Sequence, residues 1–217
     1  MLGRSEITAL VAGQPALHLV DCDLAGADLS GLDLEGVTFE RCDLRNANAK
    51  GARLEGTVWR SCRGGFAIFT GADLTDANFR SSDFNNATFR GCRLTAAAFS
   101  GCKLTGADLA DAKAMDVQFE ETLLISAKLP SLSFRKQTVS RVDFSQSDLR
   151  KCDFRGTVFE GCSLRDANVA GARFDNADLR GADLGGIRLI DAGLFRGATI
   201  SREQAGQLLA ELGLRVG

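Results

Sequence analysis

A leucine or phenylalanine recurs every fifth residue along most of this chain. Counting from Leu19 to Leu194, thirty-six positions fall in one unbroken register; eighteen are Leu, twelve are Phe, and the rest are Ala49, Trp59, Gly64, Ala114, Val139 and Val169. No helix face repeats at five, because a helix returns about every 3.6 residues, and a plain strand alternates with a period of about two. Two residues before each of these centres stands a small side chain. Ala, Cys, Ser, Thr or Val occupies 31 of the 36 positions.

Residues two apart in extended backbone point the same way. The small residue and the centre therefore both face inward, and the intervening and following Asp, Asn, Arg, Thr and Gly face outward or turn a corner. Five residues make one short side of a coil plus its bend. One such coil cannot bury its own core, but a stack of coils buries a continuous one. Frequent Gly and only two Pro suit repeated corners without kinks.

The number of sides follows from a longer period. Phe39, Trp59, Phe79, Phe99, Phe119 and Phe159 are separated by twenty residues or a multiple of it, as are Cys22, Cys42, Cys62, Cys102 and Cys162. A twenty-residue coil of four sides places them in columns at the strand spacing of about 4.8 Å, so about nine coils form a rod roughly 40 Å long.

The triplets Ala27-Asp28-Leu29, Ala72-Asp73-Leu74, Ala107-Asp108-Leu109, Ala177-Asp178-Leu179 and Ala182-Asp183-Leu184 resemble the A(D/N)Lxx consensus of the pentapeptide-repeat proteins, and the likeness covers residues 17–194. The resemblance implies an all-β solenoid, a right-handed quadrilateral β-helix. The predicted organisation is an N-terminal cap over 1–18, a β-helix over 19–200, and a C-terminal cap helix with a dimerisation tail over 201–217.

The ends carry helix signals. Ser5 to Val11 reads as a short helix capped by Ser5 and ended at Gly13, with Ile7, Leu10 and Val11 on one face over the first coil. A secretory signal is the weaker reading, since Glu6 interrupts a short apolar run. After Leu194 the phase slips by one. Ser201-Arg202-Glu203-Gln204 then reads as a capping box, Ala205, Leu208, Leu209 and Leu212 fall at helical spacing, and Gly213 stops the helix.

Two stretches depart from the unit. Trp59 is the bulkiest centre and Gly64 the next, which predicts an indole filling the space left by Gly64 and Ala49. Phe66 and Ile68 fall on outward positions. Over 113–140, Ala114 is a small centre, Gln137 a polar inward residue, Met115, Leu123 and Ile125 point outward, and Pro130 removes a ladder donor. These predict a bent or bulged coil.

The chemistry is sparse. All seven Cys occupy the small inward position, as core thiols in a reducing cytoplasm, in preference to a disulfide framework or a zinc site. His18 stands without a clustered partner, and no Gly-rich phosphate loop is present. We therefore expect no enzyme activity, cofactor or metal, and no transmembrane span. A formal net charge of −2 points to neither nucleic acid nor membrane.

The outward surface remains. Asp23, Asp43, Asp83, Asp143 and Asp183 stack in one row with Arg63, Lys103, Leu123 and Ser163; they serve either as corner caps or as a phosphate-like line. The family resemblance favours the second use. Its quinolone-resistance and topoisomerase-immunity members are dimeric rods that imitate B-form DNA and bind DNA gyrase or topoisomerase IV. The expected function is thus a gyrase-binding partial DNA mimic giving resistance or self-immunity. The alternative is an interaction scaffold using Phe66, Ile68, Leu123 and Ile125. Ile190, Phe195, Leu209, Leu214 and Val216, for which the sequence offers no partner within one chain, predict a head-to-head homodimer through the C-termini.

Overall fold

Each five-residue unit folds as one side of a square turn, and the bend sits two residues after the centre. In the first coil these corners are Asp21, Gly26, Gly31 and Gly36, with φ of 54°, 65°, 62° and 68°. That left-handed backbone is open to Gly and tolerated by Asp and Asn, which accounts for the glycines recurring at this position. In the computed structural model, residues 4–13, 17–187, 193–211 and 213–215 are described.

One face forms a nine-stranded parallel sheet in sequence order. Its strands are β1 (His18–Val20), β2 (Thr38–Glu40), β3 (Val58–Arg60), β4 (Asn78–Arg80), β5 (Ala98–Ser100), β6 (Gln118–Glu120), β7 (Thr138–Ser140), β8 (Val158–Ser163) and β9 (Asp178–Asp183). Leu19 pairs with Phe39, Phe39 with Trp59 and Trp59 with Phe79. The other three faces are held by bridges with the same twenty-residue step, such as Asp23 to Asp43, Asp28 to Asn48 and Asp33 to Arg53. The chain is therefore a four-sided β-solenoid.

The columns predicted for the core are present. Phe39 and Trp59 stack with ring centroids 4.1 Å apart, Phe79 and Phe99 at 4.6 Å, and Phe99 and Phe119 at 5.2 Å. Trp59 is wholly buried, and its indole N–H donates to Thr57 Oγ1 at 2.9 Å, which in turn donates to the Leu54 carbonyl at 2.7 Å. Burying an indole requires such a partner. The volume at Gly64 is filled differently from the expectation: a Cβ there would lie 2.1 Å from Cε1 of Phe84, so the ring from the next coil, and not the indole, takes that space.

The small inward residues do more than save room. The thiols of Cys42, Cys62 and Cys162 donate to carbonyls of the preceding coil at 3.2–3.3 Å, and the Thr122 and Thr157 hydroxyls make the equivalent bonds at 3.1 and 2.7 Å. All seven cysteines are free; Cys22 is half-buried and six are buried. Burial pushes Cys92 and Cys152 up to about 12, so these thiols stay protonated at neutral pH.

At the N-terminal end α1 (Arg4–Gly13) contributes Ile7 to the core. Ser5 lies inside this helix, one residue past its first, so it is not the predicted N-cap. Leu10 is exposed, which removes it from the predicted buried face, and the Val11 side chain lies outside the described residues.

At the other end the predicted slip is real. Asp178 bridges Thr199, a step of twenty-one. Ser201 caps α2 (Arg202–Glu211): Gln204 N–H donates to Ser201 Oγ at 3.1 Å and Ser201 N–H to Gln204 Oε1 at 2.6 Å. Gly213, with φ of 81°, closes the helix, its N–H bonding Ala210 O and the Leu214 N–H bonding Leu209 O. Leu208 is buried in the core, whereas Leu212 lies outside the described residues.

The irregular stretch is an opening in the ladder. The twenty-residue register persists, but β6 and β7 pair only at Glu120 and Ser140. The Lys136 N–H bonds Arg155 O and the Val158 N–H bonds Gln137 O; one coil earlier, the matching bonds from Asp116 to Arg135 O and from Thr138 to Val117 O are not made. The half-buried small centre Ala114 and the half-buried polar Gln137 border this opening, where neither fills the interior as a Leu or Phe would.

Candidate functional site

The acidic row stacks as predicted. Bridges run from Asp23 through Asp43, Arg63, Asp83, Lys103, Leu123 and Asp143 to Ser163, and β8–β9 pairing adds Asp183. Each of the five carboxylates accepts a bond from the backbone N–H two residues on: Ala25 at 3.1 Å, Arg45 at 3.2 Å, Asn85 at 3.1 Å, Ser145 at 2.9 Å and Gly185 at 3.0 Å. That is the Asp turn, in which the side chain imitates a backbone turn acceptor.

Cations further divide the row. Arg45 and Arg63 hold Asp43 Oδ2 at 2.6 and 3.1 Å, and Arg165 pairs with Asp183 at 2.9 Å. Arg45 hydrogen bonding holds the Asp43 carboxyl below its usual range. The row is thus a set of charged corner caps, not a continuous anionic line. The charge that remains is distributed lengthwise. Residues 17–76, the first three coils, carry ten acidic and six basic side chains, whereas 77–197 carry fifteen acidic and seventeen basic. The basic excess includes a groove of about 370 Å³ bordered by Arg135, Lys136, Arg155 and Arg173, beside Asp175.

Of the apolar spots, Phe66 is 61% exposed and Ile68 40%. Phe66 also holds a left-handed backbone with φ of 60°, rare for an aromatic residue. Leu123 is exposed beside a half-buried Ile125.

The C-terminal cluster divides. Phe195 does not lack an intrachain partner: the phase slip carries it to the inward position expected for Leu194, and its ring stacks on Phe174 at 4.8 Å. Leu209 is half-buried and Leu214 is 55% exposed. Ile190 and Val216 lie outside the described residues.

His18 pairs with Glu40 at 3.0 Å on the surface. Among the described residues no group of three or more His, Cys, Asp or Glu could hold a metal, and no helix is long and apolar enough to cross a membrane. An open cleft of about 540 Å³ lies at the β6–β7 opening, in the stretch where the sequence predicted a bent or bulged coil. Its signals were the small centre Ala114 and the polar Gln137, but neither says on which face a ladder parts.

The family profile for pentapeptide repeats matches residues 19–58, 139–181 and 158–193, and a second profile, a pentapeptide repeat region, matches 72–143. No curated protein matches the sequence. A trypsin-treated form of QnrB1, a plasmid-mediated fluoroquinolone resistance protein, aligns over 93% of this chain and 98% of its own at 24% identity, with a TM-score of 0.64. At that identity the likeness establishes the fold. HetL, a pentapeptide repeat protein involved in heterocyst differentiation regulation in the cyanobacterium Nostoc sp., aligns over 91% of this chain and 94% of its own at 20% identity and a TM-score of 0.49.

Proposed function

Since the chain belongs to the pentapeptide-repeat family, we propose that it is a non-enzymatic, cytoplasmic binding protein that engages DNA gyrase or topoisomerase IV as a partial DNA mimic. It would thereby give resistance or self-immunity to a topoisomerase inhibitor. The observation that carries this reading is the end-to-end match of the rod to a fluoroquinolone resistance protein, over 93% of this chain and 98% of that one.

The charge distribution favours the first three coils over the Asp row as the surface for the proposed mimicry. Two of the five row aspartates, Asp43 and Asp183, are paired with arginines and the row is interrupted by Arg63 and Lys103, whereas the first three coils hold the acidic excess. A surface built to grip phosphates would meet a net negative charge there, from Glu55 and Asp76 and from Asp33 and Glu35, which share the single Arg53, and basic side chains further along. A supercoiling assay with gyrase and a fluoroquinolone tests the reading. Micromolar protein should restore supercoiling or, without drug, slow it; no effect on either reaction would sink it.

A second reading has its own support in the exposed Phe66 and Ile68, which suit a scaffold that docks another protein through an apolar spot. The same assay separates them, because a scaffold for another partner leaves gyrase unaffected.

A C-terminal homodimer belongs to the proposal in revised form. With Phe195 committed to the core, the self-contacting patch would centre on Leu209 and Leu214, a twofold contact setting each on its own copy.

A further inference from the structure

The β6–β7 opening presents strand edges inside a sheet that is otherwise paired throughout. On one side lies the Val117 carbonyl, which Thr138 would bond in a closed ladder; on the other lies the Thr138 N–H itself. The gap continues onto the adjacent face, where the bridges from Arg93 to Lys113 and from Ser133 to Asp153 stand on either side of a missing one between Lys113 and Ser133. Unpaired backbone groups in a row are a template for another strand. The cleft of about 540 Å³ in front of them ends at the Glu120–Ser140 pair, which holds the coils together.

We propose that this opening accepts an extended basic polypeptide segment from a partner protein, which adds a strand between the two parted coils. Backbone groups facing each other across a cleft favour a ligand that carries donors and acceptors at strand spacing, and an extended peptide supplies both. The cleft lining holds two carboxylates, Asp116 and Glu120, and no basic side chain; Glu120 also pairs with Arg141 at 3.1 Å and Lys113 borders the gap on the adjacent face, so the charge of Asp116, with Glu120 beside it, favours lysine or arginine on the incoming strand at the β6–β7 end. Its inward side chains would meet the space beside Ala114 and Phe119. This slot is independent of the topoisomerase reading, and either can fail without the other.

The test uses the intact protein and a synthetic peptide of about eight residues alternating valine and lysine, roughly 25 Å long when extended. Amide hydrogen exchange is read at Phe119 and Thr138. In the free protein Thr138 should exchange at least about tenfold faster than Val158, whose N–H is bonded to Gln137 O at 3.0 Å. The valine–lysine peptide should slow both amides by about tenfold or more. Its affinity should fall about tenfold in Asp116→Asn with Glu120→Gln, equivalent to about 1.4 kcal/mol. The proposal is overturned if Thr138 is already as slow as Val158, since the ladder would then be closed. It is equally overturned if millimolar peptide changes nothing, if backbone N-methylation leaves binding intact, or if a valine–glutamate peptide or the double variant binds as well.

Discussion

Phe174 and Phe195 stack face to face with centroids 4.8 Å apart and an interplanar angle of 12°, although they are twenty-one residues apart in the chain. Every other stacked ring pair in the rod is separated by twenty, as in Phe134 with Phe154 and Phe154 with Phe174. One extra residue in the last coil is therefore absorbed so that an aromatic ring, not Leu194, completes the column.

That relationship divides the C-terminal variants into two kinds. Phe195→Glu places a charge against Phe174 and should lower stability by several kcal/mol, whatever the oligomeric state. Leu209→Glu with Leu214→Glu should instead leave the unfolding midpoint of the protomer nearly unchanged and dissociate the proposed dimer. Light scattering behind size exclusion decides the matter: wild-type protein at 23.1 kDa at tens of micromolar removes the dimer.

Phe99 lies between Phe79 at 4.6 Å and Phe119 at 5.2 Å and is 1% exposed. Phe99→Ala should cost about 3–5 kcal/mol in denaturant unfolding, through lost transfer energy and a cavity that stacked coils cannot close. A loss under about 1 kcal/mol would mean that the column does not bear the packing assigned to it.

Gln204 is both a cap and a clasp. Its side-chain amide donates to the carbonyls of Leu179 at 2.7 Å and Ala182 at 2.6 Å while its Oε1 accepts from Ser201. Gln204→Ala leaves those buried acceptors bare and should cost about 1–3 kcal/mol, more than the roughly 1 kcal/mol expected of Ser201→Ala. Equal losses would show that only the helix cap matters.

The arginine-held aspartates set an acid limit. Hydrogen bonding from Arg45, Arg150 and Arg155 lowers the pKa of Asp43, Asp148 and Asp153 beneath the ordinary 3.8. A depressed folded-state pKa contributes stability that is present above the unfolded value and is lost as pH falls through the folded one. Thermal midpoints should therefore hold steady above about pH 5 and drop below about pH 4. Asp148→Asn with Asp153→Asn should flatten that drop; an unchanged pH profile would show that these pairs do not couple to folding.

The Asp row separates turn capping from phosphate mimicry. In Asp43→Asn, Asp83→Asn and Asp143→Asn combined, each Asn keeps an oxygen for the N–H two residues on, so the fold should persist. If the acidic first three coils carry topoisomerase binding, this triple variant should retain most of the gyrase effect. Substitution of Asp33, Glu35 and Glu55 by Asn and Gln should abolish the effect and its salt dependence. The reverse outcome would return the mimicry to the row.

Much of the fold was legible because a five-residue period leaves few geometries. The inward pair, the twenty-residue columns, the corner glycines and the Ser201–Gln204 box are local or strictly periodic features, and each was readable from spacing alone. What tertiary structure decided were the places where periodic neighbours meet. That Phe84 fills the room at Gly64, that Phe195 replaces Leu194 against Phe174, and that arginines pair with Asp43 and Asp183 of the row all depend on contacts between neighbouring residues in the stacked coils. The opening at β6–β7 belongs to this second kind. Ala114, Pro130 and Gln137 marked a weak coil in the sequence, but the choice between bending, bulging and parting is a competition between coil–coil packing and ladder bonding. That competition is settled only once the neighbouring coils are in place.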